Sequence, residues 1–201
     1  MTPRAAFLTV RAALGAWLCA ASLAAAAHPF DPFAEEKQAQ LRVVVEPLRR
    51  GDALEALIQA DQAVVRFARH APFHVLRAQI LLKLGRAAQA QAAVERALAL
   101  APDGSLSSLS YWVRGLIHHH EGRAAQALAD FERVLKSDDL DRPLMAQAIG
   151  SRGMALADLG RHAEALRDLD RAIQLRPAAF AERQFRAAAL KGRGSTGRAS
   201  P

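Results

Sequence analysis

One phrase occurs four times in this chain and constrains its fold more than any other feature. The copies read GDALEALIQADQAV from Gly51, GRAAQAQAAVERAL from Gly85, GRAAQALADFERVL from Gly122 and GRHAEALRDLDRAI from Gly160. Successive glycines lie 34, 37 and 38 residues apart. Five residues after each glycine stands an alanine: Ala56, Ala90, Ala127 and Ala165. Twelve after it stands a small apolar residue: Ala63, Ala97, Val134 or Ala172. Self-similarity at this period is the mark of a stacked-repeat architecture, in which one unit cannot bury its apolar stripe without its neighbours. Composition sets the element type. Alanine, the best helix former, supplies 46 of the 201 residues, and β-branched and aromatic residues are too few for a sandwich or barrel. The expected class is therefore all-α.

A second phrase precedes three of the glycines. Seven residues before them lie the small residues Ala78, Gly115 and Gly153; four before lie Leu81, His118 and Leu156. Nine residues after them come Val94, Phe131 and Leu169, and seventeen after come Pro102, Asp139 and Pro177. This pattern resembles the tetratricopeptide repeat family, a 34-residue helix–turn–helix unit, with four units over roughly residues 37–177. The resemblance implies a right-handed superhelical solenoid of antiparallel helix pairs with a concave groove. The physics fits. Small residues let paired helices approach, glycine accepts a positive φ in the turn, and proline ends the second helix. The first unit departs from the pattern: Pro47 stands at the large position, and its second helix is expected to run to His70 with no proline. The longer spacings place insertions at 103–107 and 137–142. A capping helix is expected over 180–191.

The chain divides into a leader free of acidic residues, the repeats and a tail. Arg4 and Arg11 precede an apolar run, Ala12–Ala27, that ends in small residues suited to cleavage before His28. That is the layout of a secretory signal peptide over 1–27. A membrane anchor is the alternative, although the run is short of the roughly 20 residues a span prefers. Cleavage would remove two arginines, no acid and the only cysteine, Cys19, lowering the net charge from +7 to +5. Residues 28–36 form a Pro-punctuated lead-in, 37–191 the solenoid, and the Gly/Ser/Arg-rich 192–201 a disordered tail.

In the family, the first helix of each unit lines the groove. Carried over, the groove positions are Val75, Gln79, Leu82 and Lys83 in the second unit. In the third they are Leu109, Trp112, Leu116, His119 and His120, and in the fourth Gln147, Gly150, Met154, Ala157 and Asp158. The cap adds Gln184, Ala188 and Lys191. Trp112, Leu116 and Met154 are the candidate apolar contacts; Gln79, Lys83, His119 and Gln147 are the candidate polar ones. Tyr111 is expected to fill the core, which turns Trp112 toward the groove as an anchor. His118, His119 and His120 invite a metal reading, but consecutive helical residues diverge by about 100° and cannot share one ion unaided. Asp158 or His162 would have to help. The Lys/Asn clamp that holds chaperone tails has Val75 and Gln79 in its place, so that function is unsupported.

No P-loop, nucleophile elbow or zincin motif is present, and no basic motif is interleaved with aromatics. The reading is a non-catalytic protein-interaction adaptor of the bacterial cell envelope, with no cofactor, no metal and no nucleic-acid partner. A membrane contact is expected only if the leader stays uncleaved. The alternatives are a membrane-anchored scaffold of a multiprotein complex and a histidine-dependent metal-binding protein or enzyme.

Overall fold

Each repeat glycine sits where a helix must stop and the chain turn back. In the computed structural model, Gly51, Gly85, Gly122 and Gly160 have φ between +75° and +86°, the left-handed region closed to most side chains. The same pair of hydrogen bonds forms at each. The Gly122 N–H donates to the His119 carbonyl (3.0 Å) and the Arg123 N–H to the His118 carbonyl (2.8 Å). Gly51–Asp52, Gly85–Arg86 and Gly160–Arg161 repeat this Schellman closure.

The structure describes residues 31–138, 140–176 and 180–196, with the backbone alone for 180, 181 and 191–196. The leader over 1–27 and residues 28–30 and 197–201 lie outside the described residues. Among those described are nine helices and no strand: α1 (Ala34–Arg49), α2 (Ala53–Arg66), α3 (Ala71–Lys83), α4 (Ala87–Leu100), α5 (Ser105–His120), α6 (Ala124–Leu135), α7 (Arg142–Asp158), α8 (His162–Leu175) and α9 (Phe180–Thr196). None is long and apolar enough to cross a membrane. The expected all-α repeat class is what the structure shows. The helices fall into two contact units that meet within α5, one ending at Val113 and the other beginning at Arg114.

In the first unit α1 packs on α2, α2 on α3 and α3 on α4. Asp52 caps α2 by accepting the Glu55 N–H at 3.0 Å. Pro47 lies inside the last turn of α1, buried, and its carbonyl accepts the Asp52 N–H at 2.9 Å. α2 does not run to His70. It ends at Arg66, because the connector has its own anchors: Phe67 stacks on Phe73 at 5.5 Å, and the Ala68 carbonyl accepts a bond from His74 Nε2 at 2.9 Å. These contacts stand where the second repeat carries Pro102. The core holds Val44, Phe73, Leu76, Ile80, Leu81 and Val94.

In the second unit α6 packs on α7, α7 on α8, α8 on α9, and α7 touches α9. Ile117, Phe131, Val134 and Leu169 are fully buried. The close approaches are real. A Cβ on Gly115 would lie 2.5 Å from the Phe131 ring, and one on Gly153 would lie 2.9 Å from Leu169 Cγ. α9 runs past Lys191 to Thr196, so residues 192–196, expected in a disordered tail, continue the capping helix.

Candidate interaction surface

The surface begins with what holds the helix pairs in register. Arg114 grips Asp130 through both ends of its guanidinium, with Nη2 at 2.6 Å and Nε at 3.0 Å. Arg152 does the same to Asp168, at 2.7 and 2.9 Å. Such forks fix direction as well as distance. Asp130 is buried and takes a second neighbour, His118, whose Nδ1 lies 3.2 Å away. Burial holds the His118 pKa below its ordinary value against the pull of Asp130, with Arg123 and Arg114 adding to the lowering. His118 thus serves the helix pair.

His119, one residue on, points elsewhere. Its Nε2 comes within 2.8 Å of an Asp158 carboxylate oxygen, and its ring meets Phe185 edge-on with centroids 6.0 Å apart. His119 is buried, Asp158 half-exposed, and Nδ1 of the imidazole has no hydrogen-bond partner. Groove positions from α5 and α7 therefore meet within the second unit, and Phe185 of α9, which is not a groove position by register, joins them. Gln147, near the start of α7, is also buried, and its Oε1 is likewise unpartnered. Leu116 and Met154 are buried with it. His118, His119 and His120 do not converge, and no three His, Cys, Asp or Glu side chains gather as a metal site among the described residues.

In the first unit Gln79 and Lys83 sit one turn apart on α3, both half-buried, with Val75 and Leu82 buried. Trp112 departs from expectation. It is only 5% exposed, whereas Tyr111 is half-buried, so the tryptophan is not an open anchor. Tyr111 shares the helical edge of Arg114 and His118, three and seven residues on, where Asp130 keeps the face polar. The sequence reading missed the two arginine forks and Phe185. The forks had a signal: in both, Arg and Asp are sixteen residues apart.

The tetratricopeptide repeat profile matches residues 75–141 and 121–182, together more than half of the chain. No curated protein matches it by sequence. Among solved structures it is similar to TTC0263, a thermophilic TPR protein in Thermus thermophilus, with a TM-score of 0.59 and 21% identity over 82% of this chain and 84% of that one. It is also similar to MamA from Desulfovibrio magneticus RS-1, with a TM-score of 0.57 and 16% identity over 80% and 93%. MamA AMB-1 gives a TM-score of 0.53 and 19% identity over 83% and 94%. At these identities the likeness is one of fold. The glycine turns, the close helix approaches and the profile match agree, and the chain belongs to the tetratricopeptide repeat family.

Proposed function

We propose that this chain is a non-catalytic adaptor of the bacterial cell envelope that binds a segment of a partner protein along the inner helices of its repeats. The observation that carries the reading is the meeting of His119, Asp158 and Phe185 from three inner helices. Of these the half-exposed Asp158 carboxylate is the group a partner can reach, while His119 is buried and holds it in place, and Gln147, Leu116 and Met154 are buried as well. A peptide or helix carrying a hydrogen-bond donor or a cation suits that carboxylate. In the first unit, taken by itself, Gln79 and Lys83 are the half-buried polar groups at the corresponding positions. Trp112, being buried, would support the surface from beneath.

Photocrosslinking tests the surface. A photoreactive residue at Lys83 or Asp158 should capture an envelope protein, and one at the outward-facing Ala129 should not. Capture from Ala129 alone would move the interaction to the opposite side. The leader supports the envelope assignment through Arg4, Arg11 and the apolar run before His28. Residues 1–35 fused to a reporter active only outside the cytoplasm should give activity and lose about 27 residues, the length before the cut. A reporter that stays full-length in the membrane would favour the anchored scaffold.

A further inference from the structure

The repeats serve as controls for one another on their outer faces, and the first one differs. Three, seven and fourteen residues after its glycine, α2 carries Leu54, Ile58 and Val65. The same positions hold Ala88, Ala92 and Ala99 in the second repeat, Ala125, Ala129 and Lys136 in the third, and Ala163, Arg167 and Gln174 in the fourth. All twelve are solvent-exposed. Only the first repeat puts large apolar side chains there, at 59%, 51% and 83% exposure. Offsets of four and eleven residues place the three within about 40° of each other on the helix, forming one stripe. The repeat architecture does not require that stripe, since three sister helices do without it.

We propose that the outer face of α2 is a two-fold self-association surface, on which a second copy of this chain lays its own α2 antiparallel. Charge selects this occupant. Asp52 and Glu55 lie at the start of α2, and Arg66 and Arg69 lie at its end or just beyond, so the helix is acidic at one end and basic at the other. An antiparallel pair brings acid to base twice, as an isologous contact requires. Arg66 stays 64% exposed even while paired with Glu36, which leaves it able to reach a neighbour. Asp61, on the stripe itself, is already neutralised by Arg77 at 2.5 Å, so it does not oppose apolar contact. An anionic bilayer would meet Asp52 and Glu55 along with Arg66 and Arg69, so it matches only one end of the helix, whereas the antiparallel pair matches both. One 14-residue helix is about 21 Å long and offers less than the standard 1,200–2,000 Å² interface, so the dimer forms in the micromolar range. This inference stands apart from the partner-binding reading, which concerns the inner helices.

Sedimentation of the full chain from about 1 to about 300 µM spans that range. The wild type should pass from monomer to dimer. The triple variant Leu54→Ala, Ile58→Ala, Val65→Ala gives α2 the outer residues of the second repeat. Its dissociation constant should rise at least tenfold while its melting temperature stays put. Glu55→Arg and Arg66→Glu should each weaken the dimer, and an equimolar mixture of the two should restore it, because the unlike chains again pair acid with base. Four results would overturn the proposal. They are a wild type monomeric throughout, a triple variant that associates as tightly, a mixture that restores nothing, and co-sedimentation with phosphatidylglycerol vesicles in place of dimerisation. Association through the leader would survive the triple substitution and so count against it.

Discussion

The first and third repeats solve the same packing problem with opposite residues. At the close-approach position seven before the glycine, α1 presents Val44 and α5 presents Gly115. Nine after the glycine, α2 presents Ala60 and α6 presents Phe131. Val44, Ala60 and Phe131 are fully buried, and Gly115 has no room for a Cβ beside the Phe131 ring. The second and fourth repeats follow the third, with Ala78 and Val94, then Gly153 and Leu169. Interiors pack at fixed density, so bulk on one helix requires its absence on the other. The repeats preserve the combined size of the two residues, and which helix supplies it is free to change.

The largest test exchanges one solution for the other. Phe131→Ala alone should cost about 3–5 kcal/mol in urea unfolding, through the cavity it leaves. Gly115→Val alone should cost about 3 kcal/mol or more, since the ring cannot retreat from a Cβ at 2.5 Å. The double variant copies Val44 and Ala60 and should cost clearly less than the sum, with a coupling of about 1–3 kcal/mol. Strict additivity would mean that the two positions do not trade volume. Next comes a position that the two repeats treat alike. Ala56→Leu and Ala127→Leu both overfill fully buried sites and should each cost about 1–3 kcal/mol.

The ion pair separates the repeats again. Asp130→Ala would remove the fork from Arg114 and the carboxylate beside His118 and should cost about 1–3 kcal/mol. The corresponding residue of the first repeat, Gln59, only donates to Glu55 within its own helix, so Gln59→Ala should stay within about 0.5 kcal/mol. A histidine in each region gives an effect that depends on pH. Burial lowers the His70 pKa to about 4, with Lys37 adding to the lowering and Asp31 opposing it. Between pH 6.5 and 4 the unfolded chain therefore binds the proton that the folded chain refuses, and stability falls as pH falls through that window. His118 acts in the same direction, with Asp130 opposing it. Because His70 is half-exposed, solvent screening should hold its share to about 1 kcal/mol. His70→Gln should flatten the urea midpoint across this range; an unchanged slope would assign the effect to other groups.

The fold was largely legible because a tandem repeat states its rule several times. The four glycines and the four alanines after them could be placed by spacing alone, whereas the insertion expected at 103–107 falls partly inside α5, which begins at Ser105. The end of α2 was not legible, because it depends on Phe67 reaching Phe73 and on His74 reaching Ala68, contacts that no local pattern announces. Pro47 misled for a related reason. Proline is damaging in mid-helix but tolerable in a last turn, and only the position of Gly51 made it a last turn. The site was half legible. Family register put His119 and Asp158 on one face, and they do meet. Register gives direction without depth, so it could not foretell that Trp112 would be buried and Tyr111 half-open. Phe185 was hidden because its role depends on how α9 closes against α7 and α8.

The four sixteen-residue ion pairs have a consequence for how the molecule is made. Asp61–Arg77 and Asp170–Arg186 join a second helix to the first helix of the next repeat; Arg114–Asp130 and Arg152–Asp168 join the two helices of one repeat. The meeting of His119 on α5 with Phe185 on α9 reaches further, but within each unit the main helix contacts likewise reach no further than the next helix but one. Contacts this local close small loops, carry little entropic penalty and form fast. A nascent chain that has emerged as far as Asp130 already holds both partners of Arg114's bond and need not wait for the later helices. Synthesis from the amino end can therefore lock the helices in the order in which they appear.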